Sequence, residues 1–471
     1  MNGIRFFVLI IANWLCFAPT FAQNADSPLH FSLQEAKEYA VKNNLTIKNA
    51  HLNIDAAKQQ VKEYKAIGMP QLNGSVGYTH NLKLPAQLVP SSAFGFPPFL
   101  PLASGDTLFL AQSGGSSEFQ KITFGTKNNI SLGAQATQLI FDGSYTLGLK
   151  AADVFVLRAQ QETNMSENDL RNTVTETYTM ALLAWENTGI LKKNIGILQK
   201  VLNETIEYQR AGFAEQLDVD RLQLSIANLE TQLKTAKRNA QLATGLLNFH
   251  LGIDLQKKLV LTDSLAGFIA DAEAEVATPL QTWLSEAMDK RPELKLLETA
   301  KKFRELDIKQ IKAKYLPSVA GFLQGQLNFQ SNNLRIFKGE QWIPSAMVGI
   351  QVSIPLFDGF QKKAQIAQRV IAQQQVFHQE SLLEQSIILQ IINAHTQYLS
   401  ALDAWQDSKK NIQLAQKIYN ITLIKYKEGV GASLEVTNAE SKLFETQALY
   451  LKALYDLVSA KNALHKAVGN P

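Results

Sequence analysis

The segment WIPSAMVGIQVSIPLFDG, from Trp342 to Gly359, contains the pattern that decides the fold. Every second position from Trp342 to Leu356 is apolar or proline, and the positions between are mostly small or polar. Because side chains of a strand alternate between its two faces, this segment is predicted to be a strand with one apolar and one wetter face. After Pro355 no proline occurs until the last residue, so a long helix is predicted to follow.

The same strand-to-helix junction occurs twice in the chain. It is Phe141-Asp142-Gly143 in the first copy and Phe357-Asp358-Gly359 in the second, 216 positions later. Asp suits a helix N-cap and Gly a tight turn, so these acids are predicted to be capping residues rather than catalytic carboxylates. The 471 residues are therefore predicted to form two copies of one unit, at 23–251 and 280–471, with a connector at 252–279.

Each copy is predicted to contain a helix, two strands and a long helical hairpin. In the first copy these are helix 33–67, strands 71–84 and 121–140, and hairpin 144–249. In the second they are helix 280–316, strands 318–330 and 342–356, and hairpin 360–468. Pro70 and Pro317 follow the leading helices and end them. Residues 85–119 hold five of the fourteen prolines, and a long irregular loop is predicted there.

The second long helix shows a heptad seam, which predicts side-by-side packing as a coiled coil. Its members at seven-residue spacing are Ile391, Tyr398, Trp405, Ile412, Tyr419 and Tyr426. At this spacing the aromatic residues are interpreted as packing residues rather than a ligand-stacking stripe, with Tyr426 as an exception because it lies near the hairpin tip. A helix of some 67 residues would be about 100 Å long at about 1.5 Å per residue, which is longer than a single globular core needs.

Residues 1–22 are predicted to be a cleavable signal peptide, with Arg5 before an apolar stretch. Cys16, the single cysteine, lies within this segment, so no disulfide is predicted in the mature chain. A lipoprotein remains an alternative, although Trp14-Leu15 stands where a small residue would be expected. The formal charge of +4 arises from 46 basic and 42 acidic residues that are scattered along the chain, which argues against a nucleic-acid partner.

Sequence signals for an enzyme are missing. The seven His have no metal-ligand spacing, and neither a nucleophile elbow nor a phosphate-binding glycine loop occurs. The chain is therefore predicted to be neither an enzyme nor a metal or cofactor protein. No segment after the signal is apolar enough for a transmembrane helix, whereas amphipathic strands remain compatible with a membrane barrel.

Four strands cannot close a barrel, because the smallest membrane barrels need about eight. Open sheet edges are not tolerated in lipid, so several chains would have to share one barrel. Two chains would supply eight strands around a plugged interior, and three would supply twelve around a lumen. Function as a conduit favours three.

The order and duplication of these features resemble the TolC-like outer-membrane efflux family. The resemblance covers nearly the whole mature chain and includes the signal peptide, the Phe-Asp-Gly junctions and the hairpin tips at 211–219 and 428–436. It implies a mostly helical homotrimer with a shared twelve-stranded barrel in outer-membrane lipid, and long coiled-coil hairpins in the periplasm. It also implies a periplasmic adaptor (membrane fusion) protein and an inner-membrane pump as partners in a tripartite export system.

The same resemblance implies a gate at the periplasmic end, near the hairpin tips. By position Asp218 and Tyr426 resemble a latch pair, and Glu435 resembles a constriction carboxylate. Asn438 replaces the second acid, and Gly431 stands where a latch arginine can occur, so a weaker acidic ring and an altered latch are expected. The tips themselves, at Gly212, Phe213, Gly429 and Gly431, are expected to contact the adaptor.

Two other classes of protein remain as alternatives. A passive outer-membrane pore would share the strands but would not need long hairpins. A periplasmic coiled-coil adaptor or structural protein would share a hairpin but should lack four amphipathic strands.

Overall fold

The computed structural model describes residues 28–90, 99–101, 107–109, 119–275, 278–333 and 342–470. The expected signal peptide with Cys16, and parts of segments 85–119 and 252–279, lie outside these residues. The helices are α1 (Leu33–Asn43), α2 (Leu45–Ile67), α3 (Gly143–Arg210), α4 (Gln216–Leu251), α5 (Leu265–Ala274), α6 (Leu280–Lys290), α7 (Pro292–Ala313), α8 (Gln361–Lys427) and α9 (Ser433–Val468). The strands are β1 (Leu29–Phe31), β2 (Gln71–His80), β3 (Ala86–Pro90), β4 (Phe99–Pro101), β5 (Thr107–Phe109), β6 (Phe119–Thr123), β7 (Asn128–Phe141), β8 (Leu259–Leu261), β9 (Ser318–Ser331) and β10 (Trp342–Ser353).

Two compact units make up the chain. We call the first the helical unit; it comprises Met1–Ala56, Leu157–Ala300 and Gln375–Pro471. The second, the sheet unit, comprises Ala57–Val156 and Lys301–Gln374. Because each unit collects segments from both sequence copies, neither unit corresponds to one copy.

The core of the helical unit follows the heptad seam. Tyr398, Trp405 and Tyr419 of α8 are all buried, as packing residues at heptad spacing should be. Tyr178 of α3 is also buried, whereas Trp185 is 41% exposed and its repeat counterpart Trp405 is 0% exposed. The two copies therefore share a sequence pattern but not the burial of every equivalent side chain.

The helix expected over 33–67 is two helices, because the chain turns out of the helix at Asn44. Asn44 has extended dihedral angles, φ −61° and ψ 133°. Its buried side chain accepts a hydrogen bond from the Thr46 backbone N–H at 2.7 Å, and its amide donates to the carbonyl of His250 at 2.8 Å. The side chain thus starts α2 and ties it to the end of α4.

The helix expected over 280–316 is also two helices. It breaks at Arg291, whose ψ of 121° is extended. The residue before a proline is disfavoured in the α region, and Pro292 follows here. The second helix, α7, ends at Ala313, and a turn leads from it to Pro317 before β9.

The sheet unit contains one four-stranded antiparallel sheet in the order β10-β9-β7-β2. Its register aligns Trp342 with Phe329, Phe329 with Ile130, and Ile130 with Tyr78. Neighbouring strands in register present their side chains to the same side, so each row of partners lies on one face.

One face of this sheet is apolar across all four strands. Its members are Leu72, Val76, Tyr78, Ile130, Leu132, Ala134, Ala136, Val319, Leu323, Leu327, Phe329, Trp342, Pro344, Ala346, Val348, Ile350 and Val352. Many of the large ones are solvent-exposed, Val76 by 80% and Val348 by 79%. The opposite face carries mostly amides, hydroxyls and glycine, and the four strands contain no Asp, Glu, Lys or Arg.

The strand expected over 121–140 is wrong in its first part. β6 ends at Thr123 and β7 begins only at Asn128, and the pairing is interrupted between them, where Gly125 has a left-handed backbone at φ 91°. The first strand also ends early, at His80. Segment 85–119 is not wholly irregular, because its described parts pair as β3 with β6 and β4 with β5. The connector contains α5 and β8, and β8 pairs in parallel with β1.

Asp142 and Asp358 both bond the backbone at the start of a long helix. Asp142 accepts from the N–H groups of Ser144 at 2.7 Å and Tyr145 at 3.0 Å. Asp358 accepts from the N–H of Lys362 at 3.1 Å, after Gly359 and Phe360 in left-handed conformations. These bonds satisfy N–H groups that a helix start leaves unpaired.

No helix in the described ranges is both long and apolar enough to cross a membrane.

Asn44→Ala should lower the stability of the helical unit. The change removes the α2 cap and leaves the His250 carbonyl without this donor, a loss of about 1 to 2 kcal/mol. Thermal unfolding in detergent should therefore show a Tm lower by a few degrees. Asn53→Ala, at an exposed position of α2, is the matched control. Equal melting of both variants would contradict the role of Asn44.

Candidate functional site

The two hairpins end in tips of the same construction. Gly212 and Gly429 have left-handed backbones, with φ of 80° and 76°. Phe213 N–H donates to the Tyr208 carbonyl at 2.8 Å, and Val430 N–H donates to the Lys425 carbonyl at 3.0 Å. These are the bonds of a Schellman helix end, which needs glycine at the left-handed position.

Apolar side chains project from both tips. Phe213 is 85% exposed and Val430 is 77% exposed. A large exposed apolar side chain at the end of a hairpin is suited to contact with another surface. Phe213 is one of the residues that the sequence predicts to contact the adaptor, whereas Val430 is not.

Gly431 contributes a close approach of the chain to α8. A Cβ at this position would lie 3.1 Å from the Tyr426 backbone nitrogen and 3.2 Å from the Lys425 carbonyl carbon. A larger residue at this position would therefore crowd the backbone at the end of α8, which would have to shift by a few tenths of an ångström.

Asp218 is the centre of a polar contact between α4 and α9. One of its carboxylate oxygens accepts a hydrogen bond from the Ser433 hydroxyl. The other accepts a hydrogen bond from the Glu215 N–H at 3.3 Å. The Arg221 guanidinium donates to Ser433 Oγ at 3.0 Å and lies 3.8 Å from Asp218. We call Asp218, Arg221 and Ser433 the tip contact.

A second pair of contacts joins α3 to α8. Tyr426 lies beside Thr205, which is buried on α3. Lys427 lies 2.5 Å from the Glu204 carboxylate. Partial burial raises the pKa of Tyr426, and the negative charge of Asp218 raises it further, so this phenol stays protonated near neutral pH.

The expected latch pair is therefore placed close together but with different partners. Asp218 accepts a hydrogen bond from Ser433, and Tyr426 lies beside Thr205. Both contacts connect the first hairpin (α3 and α4) to the second (α8 and α9). Arg221, Ser433 and Thr205 were not predicted from the sequence. Each contacts a residue of the other hairpin more than 200 positions away, and such contacts depend on how the helices are rotated.

Glu435 and Asn438 lie in the first turns of α9, and both are exposed. No charged partner within the described residues compensates Glu435. Deeper along the hairpins, Asn194 of α3 donates to the amide oxygen of Gln447 at 2.7 Å, which is another contact between the hairpins. No cluster of three or more His, Cys, Asp or Glu in the described part of the chain is placed to hold a metal ion.

The sequence matches the family model for outer membrane efflux proteins over residues 38–252 and 283–470. The chain belongs to the outer membrane efflux protein family. The family places it in the outer membrane, as an efflux channel.

Relatives of this efflux protein agree with that assignment. It is 25% identical to the outer membrane efflux protein BepC of Brucella suis over 341 residues, which are 72% of each chain. Its fold is similar to that of CusC, with a TM-score of 0.68, 18% identity, and coverage of 93% of this chain and 92% of the other. It is also similar to the CmeC outer membrane channel of Campylobacter jejuni, with a TM-score of 0.64, 16% identity, and coverage of 93% and 85%.

Ser433→Ala should loosen the start of α9. The change removes the hydroxyl that joins Asp218 to Arg221, and the loss of one partly exposed bond to a charged group is worth about 1 kcal/mol. Hydrogen exchange of amides 433–440 should therefore be faster by about fivefold. Ser441→Ala, at an exposed position of the same helix, should exchange as the wild type does. Equal exchange in both variants would show that the tip contact does not hold α9.

Proposed function

We propose that three copies of this efflux protein form the outer-membrane exit channel of a tripartite export system. Each copy would contribute β2, β7, β9 and β10 to a shared twelve-stranded barrel. The observation that carries the proposal is the exposed apolar face of a sheet whose outer strands, β10 and β2, have no neighbour within the described chain. Lipid tolerates neither an unpaired edge nor a polar outer face, so neighbouring copies are required.

The dimensions of this face support a position in the bilayer. From Trp342 to Val352 it extends ten residues, or about 33 Å at about 3.3 Å per residue. With a strand tilt of about 40° the height falls to about 25 Å, which fits the apolar band of an outer-membrane barrel. The amide and hydroxyl face would then line a water-filled lumen.

The hairpins would supply the gate and the docking surface. Contacts between the first and second hairpins, through Asp218 with Ser433 and Tyr426 with Thr205, would hold the periplasmic end closed. Breaking them would let one hairpin move relative to the other. The exposed tips, with Phe213 and Val430, would contact a periplasmic adaptor protein, and an inner-membrane pump would supply the energy.

The assembly can be tested by the native mass of the mature protein extracted in detergent. A trimer is expected, because three copies supply the twelve strands that enclose a lumen. A detergent-free buffer should disperse or precipitate it, since the apolar face would then contact water. A monomer that stays soluble without detergent would rule out the shared barrel.

Glu435→Gln should lower the preference of the channel for cations. Three exposed carboxylates around a narrow opening would concentrate negative potential there. Reversal potentials in planar bilayers under a salt gradient measure this preference. Glu445→Gln is the control, because Glu445 lies on the same helix and is compensated by Lys442 at 2.8 Å. Unchanged selectivity in Glu435→Gln would remove Glu435 from the constriction.

A further inference from the structure

Glu440 is a buried carboxyl group directly behind the tip contact. It lies on α9 one heptad after Ser433, and Ser225 lies on α4 one heptad after Asp218. The Ser225 side chain lies near the Glu440 carboxyl group, where it lowers the pKa of this acid slightly against the larger effect of burial. The seam between α4 and α9 thus has an exposed polar layer at the tip and a buried one behind it.

The surroundings of Glu440 are poor in compensating groups. Its side chain is 3% exposed, and its Oε2 atom has no hydrogen-bond partner. The hydroxyl of Tyr419 on α8 is likewise buried without a partner. Val436 and Leu443, the adjacent seam positions of α9, are both apolar and buried.

Four charged groups on the neighbouring helices have partners other than Glu440. Arg221 and Asp218 of α4 contact Ser433, and Glu204 of α3 pairs with Lys427 of α8. Tyr419 is the titratable group of α8 that responds to Glu440, since the carboxylate helps burial to raise the pKa of this phenol to about 12. An ionised Glu440 would therefore be a buried charge with its Oε2 atom unpaired, which is costly.

We propose that Glu440 is a positioning residue that packs α9 against α4 as a neutral carboxylic acid, and that its ionisation loosens this seam. The proposal deepens the proposed gate and rests on it, because the seam lies behind contacts that would hold the channel closed. It gives the closed end a dependence on pH.

The sign of the pH dependence follows from the location of the group. Burial raises the pKa of Glu440 from its ordinary value of 4.5 to about 7. In a loosened seam the group would reach water and recover its ordinary pKa. The packed seam is therefore most stable below pH 4.5, loses stability as the pH rises through this interval, and levels off above about 7.

Hydrogen exchange of amides 433–443 in the intact protein, from about pH 4.5 to about pH 8.5, tests the proposal. Protection in the wild type, divided by that in Glu440→Gln at the same pH, should fall by up to about tenfold per pH unit and level above about pH 7. The division cancels intrinsic exchange. Glu445→Gln, an exposed carboxylate of the same helix, should behave as the wild type does.

If the ratio of wild-type protection to Glu440→Gln protection does not change with pH, the proposal is wrong. Planar-bilayer conductance over the same pH range separates it from the proposed gate. If protection follows the protonation of Glu440 and conductance rises as Glu440 ionises, both are supported. If protection follows but conductance stays constant, the role of Glu440 in the seam stands and the gate at this seam fails.

Discussion

The main constraint on the structure is that the backbone N–H and C=O groups at both edges of the sheet have no strand partner within the described chain. β10 and β2 are the outer strands of the described sheet, and each offers N–H and C=O groups along one edge. In water such an edge invites aggregation, and in lipid it is prohibitively costly. In the assembly proposed above, the apolar face and these edges together would make the lipid and the neighbouring copies conditions of the fold. Most of the helical unit, in contrast, is stabilised by an apolar seam that needs no lipid.

The contacts between the hairpins differ in kind from those within the cores. Trp405, Tyr398 and Leu457 pack in a fully buried cluster, whose loss would cost several kcal/mol for each large side chain. The tip contact consists of partly exposed hydrogen bonds and an ion pair, each worth about 1 kcal/mol or less. The tip contact is therefore much weaker than the core packing, although Leu423 and Phe444 of the second hairpin also pack against the apolar cluster of the first.

Local sequence patterns predict much of this fold, because the spacing of apolar residues reflects which side of a strand or helix is buried. Alternation in Trp342–Leu356 reflects the pleat, and the heptad of α8 reflects the buried seam. The breaks at Asn44 and Arg291 were missed, although Pro292 is a visible signal for the second. Ser433 and Thr205 have no local signature, because their partners lie on other helices. Glu440 has one: it occupies a seam position between Val436 and Leu443, where a carboxyl group is out of place.

β2, β7, β9 and β10 contain no Asp, Glu, Lys or Arg. This composition affects which solutes would pass through the assembly proposed above. A wall of amides and hydroxyls can hydrate a cation, an anion or a neutral solute, and it holds none of them strongly. The barrel would then not select among the solutes that leave through it. One such exit could serve several pumps, each of which would choose its own cargo upstream.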